Sequence, residues 1–437
     1  MKKTLTLMAM ALLMCLPSTA QFGHPGVQNA FYVYYGNGYG VKDKETKTKI
    51  KELVEFARKC CWGTTKQKDF DKVKAAYDDV SKKYASDQAL IECAYGNYMM
   101  RCAAELASHE EAYRKVSEWM DKIPADDKLR GTRGYYHALL AHWNINGDGT
   151  AQDLNKAFAE YEAAAALDTV YAHALASCYY LGVGTEVNDD KAYRFYADVF
   201  EHAVRQNRAG YDAYERLVAI ILNKQSTLGA DVIDSYRQGL RNQALNGDFA
   251  KSKELLERAA DAGLPAAMYE MAMLYETNAE LNAKGIGGMD KKEAKEAHQA
   301  WLQKAISANY TPAEFMRGQD ILLKVNTAML KPQVNKFFAD AYAVFEPLAN
   351  QEYGPAIMRV AEYDRNGWPK KSNLLGDIAK AAVSVAGAAG AAKSGGLKGL
   401  SNWSSRQGSE KVVTDEAAAK ARVDAFLQSL QKDAAAE

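Results

Sequence analysis

Four groupings in this chain have residue types that could do chemistry. Gly182 and Gly184 stand just ahead of a helical run beginning near Asp189, and the N–H groups of a glycine loop at a helix start can cradle a phosphate. Ser429 and Lys432 form a Ser-x-x-Lys step, the spacing that sets a nucleophilic serine beside a lysine base. His137 and His142 share one helical run, and His173 lies in a following helix; imidazoles brought together there could hold a metal or move protons. Cys60 and Cys61 are adjacent thiols.

The elements that must position these groups decide between chemistry and architecture. "LGVGTEVNDDKAYRFY" over 181–196 has a near-copy, "NGDGTAQDLNKAFAEY", over 146–161. Gly147 and Gly149 match Gly182 and Gly184, Lys156-Ala157 matches Lys191-Ala192, and Tyr161 matches Tyr196, each 35 residues apart. A fixed period of that size marks stacked helix pairs. Tyr171, Ala174, Leu175, Cys178 and Tyr179 make one helical stripe, and Ala192, Phe195, Tyr196, Val199, Phe200 and Ala203 make a second. The glycines therefore lie between two amphipathic helices, where glycine ends the first in a left-handed conformation. A dinucleotide fingerprint needs a preceding strand and a third glycine, and Val187 stands at that third position. The glycines are read as turns.

A looser copy follows, with Met268, Met271, Ala272 and Tyr275 on one helix and Ala294, Ala297, Trp301 and Ala305 on the next. Gly285, Gly287 and Gly288 fall in the longer connection between them. Helix starts are expected at Pro265-Ala266, Pro312-Ala313 and Pro355-Ala356, because proline is tolerated where its missing donor would be unpaired.

The stretch "ALASCYYLGVGTEVNDDKAYRFYADVFEHA" resembles the Sel-one-like branch of the tetratricopeptide-repeat superfamily. An Ala- and Leu-rich first helix, an aromatic, a Gly-x-Gly turn, and then Lys-Ala with an aromatic carry the likeness. It is good over about 134–203, fair over 250–310 and degenerate elsewhere. Residues 45–130 keep helix-pair patterning without the glycine turn, and 204–248 depart from the period. The resemblance implies an all-α fold, a right-handed solenoid of antiparallel helix pairs over 45–370, in a protein that serves as an adaptor for others.

Composition bounds the rest. With 55 basic and 55 acidic residues in 437, the chain lacks the broad basic footprint of a nucleic-acid binder. Lys2-Lys3, the apolar run 5–16 and Ser18-Thr19-Ala20 read as a secretory signal cleaved after Ala20, which places the mature protein in the periplasm or outside the cell. Residues 21–44 are an aromatic, Gly-rich segment containing an expected short strand at Phe31–Tyr35. It reads either as packing on the first helices or as a recognition segment. Residues 371–413 read as an Ala/Gly/Ser-rich linker, with membrane contact possible over 374–400. The apolar run 381–392 is twelve residues, short of the roughly 20 needed to span. A final helix is expected over 414–437, capped by Thr414, that covers the end of the array or binds elsewhere.

No His-Glu-x-x-His, Gly-x-Ser-x-Gly or P-loop motif occurs, and no catalytic residue, metal or cofactor is expected. The Ser-x-x-Lys step lacks its companion Ser-Asp-Asn and Lys-Thr-Gly elements. Five cysteines remain after cleavage: Cys60, Cys61, Cys93, Cys102 and Cys178. Cys93 and Cys102, nine apart on one expected helix, face opposite sides, whereas Cys60 or Cys61 could reach either if neighbouring helices meet.

The expected function is a protein-interaction scaffold that binds an envelope protein or peptide along the concave face. Tyr135, His142, Trp143, Tyr171, Tyr179 and Tyr180 are the candidate contact residues. The same aromatics also suit the core between repeats. Two rivals are a penicillin-interacting cell-wall enzyme and an envelope-anchored structural component. The first follows from secreted, cysteine-rich members of the resembled family, but those pair cysteines once per repeat, and Cys178 has no counterpart in the preceding repeat.

Overall fold

The computed structural model describes residues 43–206, 210–246, 248–276, 290–325, 331–366 and 415–436. The expected signal at 1–20, nearly all of 21–44 with its Phe31–Tyr35 strand, the glycines at 285–288, the linker 371–413 and Thr414 lie outside the described residues.

Seventeen α-helices and no strand occur among the described residues. Four pairs come first: α1 (Lys44–Lys59) with α2 (Gln67–Lys83), α3 (Gln88–Met100) with α4 (His109–Trp119), α5 (Arg130–Asn146) with α6 (Leu154–Leu167), and α7 (Ala172–Leu181) with α8 (Asp189–Arg205). Helix α9 (Tyr211–Gln225) follows and packs on α8. Four further pairs complete the stack: α10 (Ala230–Asn246) with α11 (Phe249–Asp261), α12 (Pro265–Glu276) with α13 (Lys291–Ser307), α14 (Thr311–Leu323) with α15 (Lys331–Asn350), and α16 (Gly354–Asn366) with α17 (Glu416–Ala436). Each pair also touches the next, which makes the molecule an α-solenoid of paired helices.

Local chemistry accounts for the helix ends. Ser108, Asp153, Asn188, Asp248 and Asp290 each accept a backbone N–H at the starts of α4, α6, α8, α11 and α13, and Asp290 with Glu293 forms a capping box. Asp415, not Thr414, caps α17: it accepts from the Ala418 amide at 2.8 Å. On α8 the residues Ala192, Tyr196, Phe200 and Val204 recur every fourth position and are all buried, so one narrow stripe faces the core.

The two glycine turns are built alike. The N–H groups of Gly147 and Asp148 both donate to the Trp143 carbonyl at 2.8 and 2.9 Å, and the Asp153 amide donates to Asn144 at 2.9 Å. Thirty-five residues on, Gly182 and Val183 use the Cys178 carbonyl in the same way, and Asn188 donates to Tyr179 at 2.9 Å. All four glycines have positive φ, between 64° and 76°. The second of each pair has a further constraint. A Cβ on Gly149 would lie 2.2 Å from the His109 carbonyl oxygen, and one on Gly184 would lie 2.0 Å from that of Leu154. Each turn therefore presses its backbone against the start of the preceding pair's second helix.

The later pairs fold back onto α8 and α9. Tyr211 packs on Phe315 with ring centres 5.1 Å apart, Tyr214 on Tyr353 at 5.2 Å, and Phe200 on Phe426 at 5.8 Å. Gly354 sits at the junction, where a Cβ would fall 2.7 Å from both Phe200 and Phe426 and 2.9 Å from Tyr214. Polar groups share this seam. The Tyr269 hydroxyl donates to Glu215 at 2.8 Å, and Arg216 pairs with Glu270 at 2.5 Å and donates to Tyr236 at 3.2 Å. Burial pushes the Glu215 carboxyl up to about 8, so it carries its proton at neutral pH.

Two stability predictions follow from this packing. Gly147→Ala, with its nearest neighbour atom 3.4 Å away, costs about 1–2 kcal/mol for the left-handed backbone alone. Gly184→Ala costs more, because the Leu154 carbonyl must also move; urea midpoints in the reverse order would refute this. Glu215 releases its proton near 4.5 when unfolded but near 8 when folded, so its stabilising contribution is complete below pH 4.5 and is lost as pH rises to about 8. Glu215→Gln should flatten that loss between pH 5 and 8; parallel stability–pH curves for the two proteins would contradict the assignment.

Candidate protein-interaction face

Helix α5 carries Tyr135, His142 and Trp143, α7 carries Tyr179 and Tyr180, and Tyr171 stands in the turn just before α7. Five of the six expected residues are buried: Tyr135 and Tyr180 at 0%, Trp143 at 1%, Tyr179 at 6% and Tyr171 at 7% exposure. Tyr135 accepts from the Asn97 amide at 2.8 Å, which joins α5 to α3. Trp143 meets Tyr113 with ring centres 6.3 Å apart. Tyr171 lies over Gly134, whose absent side chain leaves room for its ring. Tyr179 is held between Phe158 at 5.3 Å and Phe195 at 5.9 Å, with the Lys191 ammonium 4.8 Å from its centre. These five aromatics build the wall, and of the six only His142 is half-exposed, with its Nε2 3.0 Å from the Asn146 amide.

Tyr180 is covered by the chain itself. Helix α10 lies across α5 and α7. The Arg237 guanidinium stands 5.2 Å from the Tyr180 ring centre and holds both Asp189 carboxylate oxygens at 2.7 and 2.8 Å. One turn on, Arg241 donates to the carbonyls of Leu181 at 3.0 Å and Gly182 at 2.6 Å. Those carbonyls end α7 and carry the negative pole of its dipole, where a cation is favoured. Asn223 of α9 donates to the Tyr180 hydroxyl at 3.3 Å. In the sequence, 204–248 stands out only as a departure from the period. Its signal was Arg237 and Arg241 four residues apart, on one side of a helix.

The other groupings resolve into structure. His137 Nδ1 lies 2.7 Å from Glu160 and joins α5 to α6. The His173 ring packs edge-on against Tyr196, and burial lowers its proton affinity against the opposing pull of Asp212. No group of three or more His, Cys, Asp or Glu side chains is placed to hold a metal ion among the described residues. The amides of Gly147 and Asp148 already serve the Trp143 carbonyl, and those of Gly182 and Val183 the Cys178 carbonyl, so these four do not point at a ligand. The side chains of Ser429 and Lys432 fall outside the described residues. No helix among the described residues is long and apolar enough to cross a membrane.

Neither a protein-family model nor a curated protein matches the chain. Among solved structures, the chain is similar to a protective antigen of uropathogenic Escherichia coli strains displaying an SLR fold. The identity is 16% and the TM-score 0.21, with 84% of this chain and 88% of that chain covered. The helix pairing and the two equivalent glycine turns define the architecture independently of that comparison. The described residues form an all-α solenoid of paired helices with equivalent glycine turns at 147–149 and 182–184.

Proposed function

We propose that the protein is an exported interaction scaffold that binds a protein or peptide segment of the cell envelope along the face of its first helices. The observation that supports this reading is the seating of α10. A helix already rests across α5 and α7, held by arginine on a tyrosine ring, on a carboxylate and on helix-terminal carbonyls. That face therefore offers groups that hold a helical segment bearing cations four residues apart. The same kind of helix end recurs one repeat earlier, where α5 closes at Asn146 and Gly147. There His142 is half-exposed and Asn146 exposed, and a second segment is assigned to this step of the same face.

The expected partner is accordingly a segment that lays basic side chains on the α5 terminus, beside α10. Export follows from the N-terminal sequence and is tested by fractionating cells for the mature chain beginning at Gln21.

A photo-crosslinking residue placed at 142 or 146 should capture the partner in cells. The same residue at 159, exposed on the second helix α6, should not. Equal capture from all three positions, or capture from 159 alone, would refute the assigned face; circular dichroism of each variant checks that the fold is intact.

A further inference from the structure

We propose that Cys60 and Cys102 form a disulfide site that staples the end of α1 to the end of α3. All five described cysteines are thiols in this structure. The two helix ends are nevertheless already fastened together. The Ala103 amide donates to the Thr64 carbonyl at 3.1 Å, and Arg101 Nη1 donates to the Cys61 carbonyl at 3.3 Å. Gly63 lies so close that a Cβ there would fall 1.9 Å from the Arg101 carbonyl oxygen. The segment just after α1 thus runs against the segment just after α3.

This geometry selects among the pairings left open by the sequence. Helix α3 ends at Met100, so Cys102 lies beyond it and not on the helix face opposite Cys93. Cys60 is the C-cap residue of α1. Both are 4% exposed and lie in the apolar core. The Cys102 thiol donates to the Tyr98 carbonyl and the Cys61 thiol to the Ala57 carbonyl, each at 3.3 Å, so Cys61 turns back along α1. Burial pushes the Cys60 thiol well up, and the neighbouring thiols of Cys61 and Cys102 push the same way, as expected of groups in one small apolar space.

The oxidant is a small-molecule disulfide such as oxidised glutathione. The Cys60 thiolate attacks it and expels one thiolate, which takes up the proton that Cys60 released. The Cys102 thiolate then attacks the Cys60 sulfur of the mixed disulfide and expels the second thiol. Two protein thiols are oxidised and one external disulfide is reduced to two thiols. The bond would close a long loop around α2 and α3, where among the described residues α1 packs chiefly on α2.

The full chain is incubated with oxidised glutathione, its remaining thiols are alkylated, and it is digested with trypsin without reduction. Cleavage isolates Cys60–Lys66 and Cys102–Arg114, while Cys93 falls in the peptide 84–101. The expected product is the linked pair 60–66 with 102–114, lighter by two hydrogens than its parts. It persists in Cys61→Ser, disappears in Cys60→Ala and Cys102→Ala, and raises a melting midpoint that dithiothreitol lowers again. Alkylated, unlinked peptides after oxidation would overturn the proposal. So would a link that survives Cys60→Ala but not Cys61→Ser, or one that joins 84–101. Circular dichroism of the reduced variants separates loss of the link from loss of the fold.

Discussion

A hairpin of two amphipathic helices has apolar surface on both flanks, and each flank needs another hairpin against it. The fold depends on that constraint and on how closely neighbours can approach. At Gly149 and Gly184 the contact is backbone against backbone, with no room for a β-carbon. The step between these pairs is therefore set by main-chain contact more than by side-chain size. Once the step is fixed, the alanines and tyrosines of both stripes fall between helices, and Tyr161, Tyr180 and Tyr196 are all buried.

A linear stack leaves two ends uncovered. Here the later half meets α8 and α9 through Tyr211, Tyr214 and Phe200, and α17 contributes Phe426 to that contact. The seam also buries charge. Arg216 keeps its charge against burial because Glu270 faces it, whereas Glu215 keeps a proton and accepts from Tyr269. A buried group either finds an opposite charge or gives up its own, and this seam does both within two adjacent residues. The same insert sends α10 across the first helices, so the segment that receives the later half also occupies part of the proposed binding face.

Local features of the fold were legible because they repeat or punctuate. The two copies of the glycine turn, the stripes at helix spacing and the Pro-Ala starts each have a short-range physical cause, and α12 begins at Pro265 as that cause requires. The long-range arrangement left no such trace. A stripe shows that a helix is buried on one side, but not what lies there, so Tyr135 and Tyr180 suit a wall surface as well as the core that the burial habits of aromatics favour. Nothing near Phe200 announces Phe426. The cap at Asp415 and the end of α3 before Cys102 were each misplaced by a residue or two, the ordinary uncertainty of helix ends. The insert 204–248 broke the period because α9 must serve a seam with polar groups on it, and a repeat pattern has no place for Glu215 beside Arg216.

The central claim is that α9 is the junction where the later half of the stack folds back onto its middle. Native-state amide exchange tests it directly. The account predicts that the amides of α9 exchange as slowly as those of α8 and α16, which pack against it. Exchange of α9 ahead of both neighbours, at the rate of a helix with a solvated flank, would contradict it.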